Sequence, residues 1–478
     1  MPGVATNIFH LLTSSVLQKA IAFVYFALIA RWAGVEDTGS YFFALSWTLM
    51  FTTITDMGLT PVLIREAAKD KLQTEKYLNQ TLALKLPLTA VAVLAAVVGA
   101  WLFHIAPGTR VLVMLAAIVI SLDAISLTFY GVLRAHHVLK YEGLGLIAGQ
   151  SITMAVGLTA LKLGAPLGVL VVALIAGSFW NALASMWIVR KRLGIRARLS
   201  WDWSFAKKIL RMAVPFALAG AFVKVYTSAD AVLLTHFKGE AAAGLYSVPY
   251  KLTFAFQFVP MAFTAAFYPA MSRAWAADKK ALGDLFYKAL WALMLIAAPI
   301  AAGIMALAPE LVDFVYGKDY LPAVAAVQLL ILSVLPIFLD FPIGSLLNAS
   351  DRQMTQTKLM GMATVISVVL NVALIPALGL TGVVVASIVS HTALLVGGFI
   401  AVGKFLEWPA LKFFGVAIRA SLAAAAMFVG VTLAKTYVPF PIAVLAGVAL
   451  YPAAAFALRA VTVADLKGLL VGVRTRSV

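Results

Sequence analysis

Six charged side chains fall inside stretches otherwise apolar enough to cross a membrane: Lys19, Lys224 and Lys251, and Asp123, Asp230 and Asp340. A charge at the centre of a bilayer costs about 2.5–3.5 kcal/mol on insertion scales, so such groups normally face a bundle interior or a water-filled cavity and mark an ion or substrate path. Lys251 is the clearest case. It lies about a third of the way along residues 242–271, which read as one helix long enough for a hydrocarbon core of about 30 Å. Its outer end is about ten residues away, or about 15 Å of rise, a long reach for a snorkelling lysine. For Lys19 and Lys224, near the midpoints of their spans, the choice is between a substrate role and a structural ion pair. The three aspartates could balance these charges or take up H⁺ or Na⁺; neutralisation by burial, or capping of a neighbouring helix end, are the alternatives for each. Asp56 and Lys85 sit nearer the inner ends of their spans and read as interfacial.

The elements that must position these groups are membrane helices. Of 478 residues, 63% are hydrophobic and only 12% charged, and several uninterrupted stretches exceed eighteen apolar residues, so soluble cores cannot hide this surface. The class is an all-α polytopic membrane protein with about fourteen spans. Cysteine is absent, which excludes disulfides, thiolate metal sites and a cysteine nucleophile. The start, MPGVATN, lacks a basic n-region, and the first apolar run is too long for a signal peptide, so an uncleaved first span is expected.

Most of the 37 Lys and Arg residues fall in alternate loops, which by the positive-inside tendency places both termini in the cytoplasm of a multi-pass inner-membrane protein. The net charge of +17 is then a topology signal with some attraction to membrane lipids, not a nucleic-acid footprint. The longest polar interruption, KRLGIRARLSWDWSFAKK at 191–208, looks like a cytoplasmic inter-lobe loop. Its Trp201, Trp203 and Phe205 fit either a segment lying among headgroups or an inside loop with interfacial anchors. This divides the chain into an N-lobe at 1–190, the loop at 191–208, a C-lobe at 209–403, and two appended spans with a tail at 404–478.

The lobes repeat each other. A shift of 205 residues carries Lys19 onto Lys224, Gly34 onto Gly239, Gly39 onto Gly244 and Tyr41 onto Tyr246; farther on, a shift of 214 carries Ala135 onto Ala349 and Gly168 onto Gly382. A mid-span lysine, a glycine-punctuated outer turn and a following tyrosine recur in the same order. Six spans separate the copies, so the repeat is parallel about an axis along the membrane normal, one of the layouts found in transporters. Pro215, Pro260, Pro299, Pro336, Pro342 and Pro376 mark bends or breaks.

Catalytic motifs are missing. Gly143, Gly145 and Gly149 lack the dinucleotide spacing, no P-loop is present, and His136 with His137 has no zinc spacing. The sequons at Asn79 and Asn348 fall on the expected cytoplasmic side. A membrane glycosyltransferase or polymerase would need a sizeable outer loop, and the longest here, PELVDFVYGKDYLP at 309–322, is short.

Three stretches carry a family resemblance: ARWAGVEDTGSYFFAL (30–45), ITDMGLTPVLIREAAKD (54–70) and ADAVLLTHFKGEAAAGLYSVPYKL (229–252). They resemble the polysaccharide and oligosaccharide flippases of the multidrug/oligosaccharidyl-lipid/polysaccharide exporter superfamily. YPAMSR at 268–273 is similar to the end of the eighth span in lipid II flippases. The resemblance implies two six-helix lobes forming a V around a cationic cavity, plus two appended helices. It implies a non-enzymatic flippase carrying polyprenyl-pyrophosphate-linked oligosaccharide or polysaccharide repeat units by alternating access. No bound cofactor is implied, only coupling to Na⁺, H⁺ or membrane potential, with glycan-assembly enzymes as candidate partners. Lipid II flippases place arginines in the cavity helices; Lys19 and Lys251 stand in roughly similar places, and Lys for Arg removes bidentate phosphate binding. Lys19, Lys224 and Lys251 are thus the candidate pyrophosphate ligands, and Asp123, Asp230 and Asp340 the candidate coupling or balancing groups. A cation-coupled multidrug antiporter of the same superfamily is the alternative; its cavity should favour acidic residues.

Overall fold

The computed structural model describes residues 4–462, with side chains from Thr13 onward, and every regular element in that range is helical. In chain order the helices are α1 (Val4–Asp56), α2 (Leu59–Lys69), α3 (Thr74–Leu102), α4 (Pro107–Ala135), α5 (Leu139–Lys162), α6 (Gly168–Leu193), α7 (Trp203–Lys238), α8 (Glu240–Ala255), α9 (Phe258–Ala277), α10 (Lys279–Tyr316), α11 (Val324–Leu330), α12 (Val334–Ala349), α13 (Gln353–Leu378), α14 (Leu380–Gly403), α15 (Ala410–Ala434) and α16 (Phe440–Ala457). Thirteen stretches among the described residues are long and apolar enough to cross a membrane. The first of them, Thr13–Asp56, takes in most of the first two spans expected from sequence, joined across a kink at Gly34, and the second of these expected spans, 40–63, runs on past Asp56 into α2. Gly34 has φ 81° and ψ 175°, a conformation essentially reserved for glycine, which explains the residue type at that corner.

Proline chemistry accounts for one difference from expectation. Residues 242–271 are not a single helix: α8 stops at Ala255 and α9 begins at Phe258. Pro260 has no N–H to offer the carbonyl of Phe256, which instead accepts from the backbone N–H of Val259 at 3.0 Å, and Pro260 falls in the first turn of α9 where a missing donor is harmless. By contrast Pro215, Pro299, Pro342 and Pro376 remain inside α7, α10, α12 and α13. A second difference lies in the 191–208 loop. Its last six residues are the first turns of α7, whose N-cap Asp202 accepts from the N–H of Phe205 at 3.1 Å, while Trp201 stacks on Trp203.

The chain forms two compact units, Met1–Ser247 with Thr364–Val383, and Val248–Ala363 with Val384–Val478. In the first, a core built on Leu59, Leu63, Leu78, Phe129, Leu133 and Val189 joins α2, α3, α4 and α6, and α7 enters it through Ile209 and Ala213. In the second, Leu282, Phe286, Leu290 and Met294 of α10 pack with Ile343 and Leu346 of α12 and with Phe413, Ala420 and Met427 of α15, so the last two helices share a core with α10.

The repeat has a physical counterpart inside the first unit. Gly239 adopts φ 84° and ψ 179°, the conformation of Gly34. Five residues after each corner stands a second glycine, and the two cross in reciprocal fashion: a Cβ on Gly39 would collide with the carbonyl of Glu240, and one on Gly244 with the carbonyl of Val35. Residues 35 and 240 are themselves related by the shift of 205, so α1 and α8 meet through one self-complementary pair of contacts, the signature of a twofold relation. Ser40 and Thr109 both donate to the Glu240 carboxylate at this crossing.

Candidate functional site

Within the first unit lies a cavity of about 590 Å³, inside the range of ligand sites. α1 contributes Gln18, Thr52 and Asp56; α4 contributes Asp123, Tyr130 and Arg134; α5 contributes Glu142, Gln150 and Thr153; α6 contributes Ser178 and Asn181; and α7 contributes Lys224. The local sequence makes room for it. Gly145 and Gly149 lie where a Cβ would strike Tyr130 and Asn181, and Gly177 where it would strike Thr153, so α5 can approach α4 and α6 closely while polar groups still line the space.

The polar groups are organised in three clusters. Lys224 and Asp123 interact electrostatically, with Ser178 lining the same cavity beside them. Arg134 holds the buried Glu142 in a two-pronged contact, its Nε 2.9 Å from Oε2. Lys85 is fully buried behind the cavity wall, 2.7 Å from Asp56, and also donates to the Thr60 hydroxyl at 2.8 Å and the Ala124 carbonyl at 3.2 Å. The Thr60 hydroxyl in turn contacts Asp56. Tyr130 completes the wall by donating to Asn181 Oδ1 at 2.8 Å. Each charge lining this cavity has an opposite charge beside it, so the space is polar and nearly balanced, with neutral hydroxyl and amide groups between.

The residues singled out by sequence are distributed as follows. Lys224 and Asp123 are brought together in the cavity. Lys19 is exposed on α1, one residue from Gln18, which lines the cavity; like Lys224 it stands fifteen residues before its corner glycine (19 to 34, 224 to 239). Lys251 and Asp340 belong to the second unit, both half-buried, on α8 and α12, and Oδ1 of Asp340 is buried with no hydrogen-bond partner among the described residues. Asp230 lies outside the cavity, 5% exposed, and accepts from the Tyr246 hydroxyl at 2.9 Å, from Asn371 Nδ2 at 2.7 Å and from Ser367 at 3.4 Å.

Sequence reasoning missed several of these groups. Asp56 and Lys85, read as interfacial, form a buried ion pair: Lys85 sits 25 residues from Thr60 and 39 from Ala124, distances at which single-sequence patterns are silent. Arg134, one of the basic residues that sequence groups with the topology signal, belongs to the cavity because Glu142, eight residues on, returns across the α4–α5 turn. Ser367 and Asn371, spaced i and i+4 on one face of an apolar helix, were a readable signal for a buried polar site.

A family described as polysaccharide biosynthesis protein matches residues 4–275, and the MatE family matches residues 215–376. The chain is 23% identical over 402 residues to the probable low-salt glycan biosynthesis flippase Agl15 of Haloferax volcanii, covering 81% of this chain and 80% of that one. It is 27% identical over 214 residues to an uncharacterized membrane protein of Methanocaldococcus jannaschii, a match that spans only 42% of this chain and 41% of that relative. Among solved structures, the lipid II flippase MurJ in an inward closed conformation shares the fold with a TM-score of 0.75 at 14% identity, covering 93% of this chain and 97% of that one. An inward-facing multidrug resistance MATE family transporter of the MOP superfamily gives 0.68 at 16% identity, covering 81% and 95%. The all-helical exporter fold expected from sequence is therefore the fold observed.

Proposed function

The chain belongs to the polysaccharide biosynthesis protein family, and from that premise we propose that it carries a polyprenyl-pyrophosphate-linked oligosaccharide or polysaccharide repeat unit across the cytoplasmic membrane by alternating access. The families it matches are transporters and flippases, not catalysts, and its many apolar spans make it a multi-pass membrane protein. The observation that carries the proposal is the lining of the first unit's cavity. Asn181, Gln150, Tyr130 and Ser178 offer donors and acceptors suited to sugar hydroxyls, and Lys224 adds a cation beside them. In this reading Lys19, Lys224 and Lys251 hold the pyrophosphate, residues 1–190 and 209–403 act as the two lobes, and both termini are cytoplasmic in the inner membrane. Asp123, Asp230 and Asp340 couple transport to an ion or balance the lysines, and glycan-assembly enzymes supply the substrate. Agl15 is a probable glycan biosynthesis flippase, which supports a glycan substrate.

The second reading, a cation-coupled multidrug antiporter, is favoured by the MatE match and by the exposure of Asp123 to the cavity. Proteoliposomes distinguish the two. With a fluorescent polyprenyl-pyrophosphate oligosaccharide in the membrane, the intact chain should equilibrate it between leaflets. Lys224→Ala and Lys251→Ala should each slow this by about 10- to 100-fold, the value of one hydrogen bond to a charged group. Normal rates in both variants, or Asp123-dependent transport of a cationic drug, would replace the flippase reading with the antiporter.

A further inference from the structure

A second cavity of the first unit, about 850 Å³, opens beside α6 and is built unlike the polar one. One wall is apolar: Trp180, Leu183, Ala184 and Trp187 recur at i, i+3, i+4 and i+7, a single stripe of α6. Both tryptophans are exposed, Trp180 by 44% and Trp187 by 58%. The other wall is the non-helical segment that follows α6, and here the lining changes to arginine: Arg190 at the helix end, then Arg196 and Arg198. Arg196 and Arg198 thus both line the cavity from this one non-helical segment.

The segment is held in place. Its backbone N–H groups are taken by side chains of α3: Arg198 donates to Asn79 Oδ1 at 2.7 Å, Asp202 to Gln80 Oε1 at 3.0 Å and Arg196 to Glu75 Oε2 at 3.5 Å. Three separate side chains of α3 are thus committed to fixing a loop that has no helical bonds of its own. The guanidinium groups are left available: no ion pair joins Arg190, Arg196 or Arg198 to a carboxylate among the described residues. Lys191 lies over the ring of Trp187 at 4.5 Å, adding a fourth positive charge at the rim.

An apolar trough beside a membrane helix is ordinary; one that ends in three unpaired guanidinium groups on a tethered strap has a specific complement. We propose that this cavity is a binding site for an anionic phospholipid, with the phosphate on Arg190, Arg196 and Arg198 and an acyl chain along the Trp180–Trp187 stripe. Guanidinium groups bind phosphate oxygens in pairs, tryptophan favours the level of the headgroups, and basic pockets between membrane helices are suited to anionic headgroups. A soluble anion would leave the apolar wall unused, and a zwitterionic lipid would leave the arginines without net charge to neutralise. The site does not depend on what the protein transports.

The test uses the full chain in detergent, titrated with cardiolipin, phosphatidylcholine or inorganic phosphate and followed by native mass spectrometry. Cardiolipin should remain bound in preference to phosphatidylcholine, and inorganic phosphate should not displace it. The triple variant Arg190→Gln/Arg196→Gln/Arg198→Gln should weaken cardiolipin on the order of 100-fold, from about 1 kcal/mol per basic residue near lipid. Removing equal charge with Lys207→Gln/Lys208→Gln/Arg211→Gln on α7 should change it less than about threefold. Equal losses in the two triple variants would reduce the effect to general charge attraction and overturn the site, as would phosphatidylcholine binding as tightly or inorganic phosphate competing. Should the triple variant fail to fold, Arg198→Gln alone should weaken cardiolipin about fivefold, and Trp187→Phe should reduce quenching of tryptophan fluorescence by brominated-acyl cardiolipin. No change in either would overturn the proposal equally.

Discussion

Nine residues before the Gly239 corner, on α7, the Asp230 carboxylate sits among Tyr246, Asn371 and Ser367, each donating to it. Nine residues before the Gly34 corner, on α1, the corresponding residue is Tyr25, with Tyr41 in the place of Tyr246. The shift of 214 that relates the later helices puts Gly157 opposite Asn371 and Thr153 opposite Ser367. Where Asn371 donates to Asp230, Gly157 has no side chain because the Tyr25 ring fills that space; a Cβ there would strike the ring. The Tyr25 hydroxyl is buried without a hydrogen-bond partner among the described residues. One half of the repeat keeps a buried, fully coordinated carboxylate, and the other packs the same place with an aromatic ring. The backbone corner is shared and the chemistry is not: the repeat supplies the scaffold, and at this position its second copy carries a carboxylate where the first carries an aromatic ring.

The shared scaffold can be broken at the crossing of α1 and α8. Gly39→Val and Gly244→Val each drive a side chain into a backbone carbonyl that cannot rotate away, so each should cost well over about 3 kcal/mol and abolish most folded protein in size-exclusion profiles. The corners should respond less and equally. Gly34 and Gly239 have nearly the same φ and ψ, and a Cβ added at either would meet nothing within 4 Å, so alanine there pays only the backbone strain, about 1–3 kcal/mol. Unequal losses for Gly34→Ala and Gly239→Ala in thermal unfolding would show that the two corners do not carry the same role.

The divergent chemistry predicts asymmetry at the next level. Asp230→Ala leaves the buried donors of Tyr246, Asn371 and Ser367 without their acceptor and should destabilise the protein by about 2–4 kcal/mol. Tyr25→Phe removes a hydroxyl that makes no hydrogen bond among the described residues and should be neutral within about 0.5 kcal/mol. Similar losses from both substitutions, measured by thermal unfolding in one detergent, would mean that Tyr25 carries a polar role equivalent to Asp230.

How much of this could be read from the sequence follows from the range of each signal. The apolar stretches, the lack of catalytic motifs and the glycine spacing at 34, 39, 239 and 244 are local or periodic, and they led to the helical exporter fold and to the corners. Lys224 and Asp123 are visible as charges out of place, though nothing in their neighbourhoods shows that they line one cavity. The partners of Asp230 come from α8 and α13, and those of Lys85 from α1, α2 and α4, contacts that only the fold creates. The break before Pro260 was foreshadowed by the proline, but the strength of the apolar run concealed it.

The smallest effect concerns the turns that the shift of 214 also aligns. His137, between α4 and α5, and Asp351, between α12 and α13, adopt the same left-handed conformation, φ 57° and 59°. The residue before each differs: His136 in the first turn, Ser350 in the second. His136 is half-buried, with Nε2 3.0 Å from the Thr74 hydroxyl. Burial, followed by the charges of Lys71 and His137, lowers its pKa below the ordinary histidine value. The folded state therefore binds this proton less readily than the unfolded chain, and the stability linked to His136 is present above the ordinary pKa of about 6.5 and falls as pH drops below it. Thermal midpoints should decline from about pH 7 to pH 5, and His136→Gln, which can still reach Thr74, should flatten that part of the profile. Ser350→Ala should leave the slope unchanged, because the second turn holds no group that titrates there at that position. A slope that survives in His136→Gln would assign the acid sensitivity to another group and remove this last difference between the two halves.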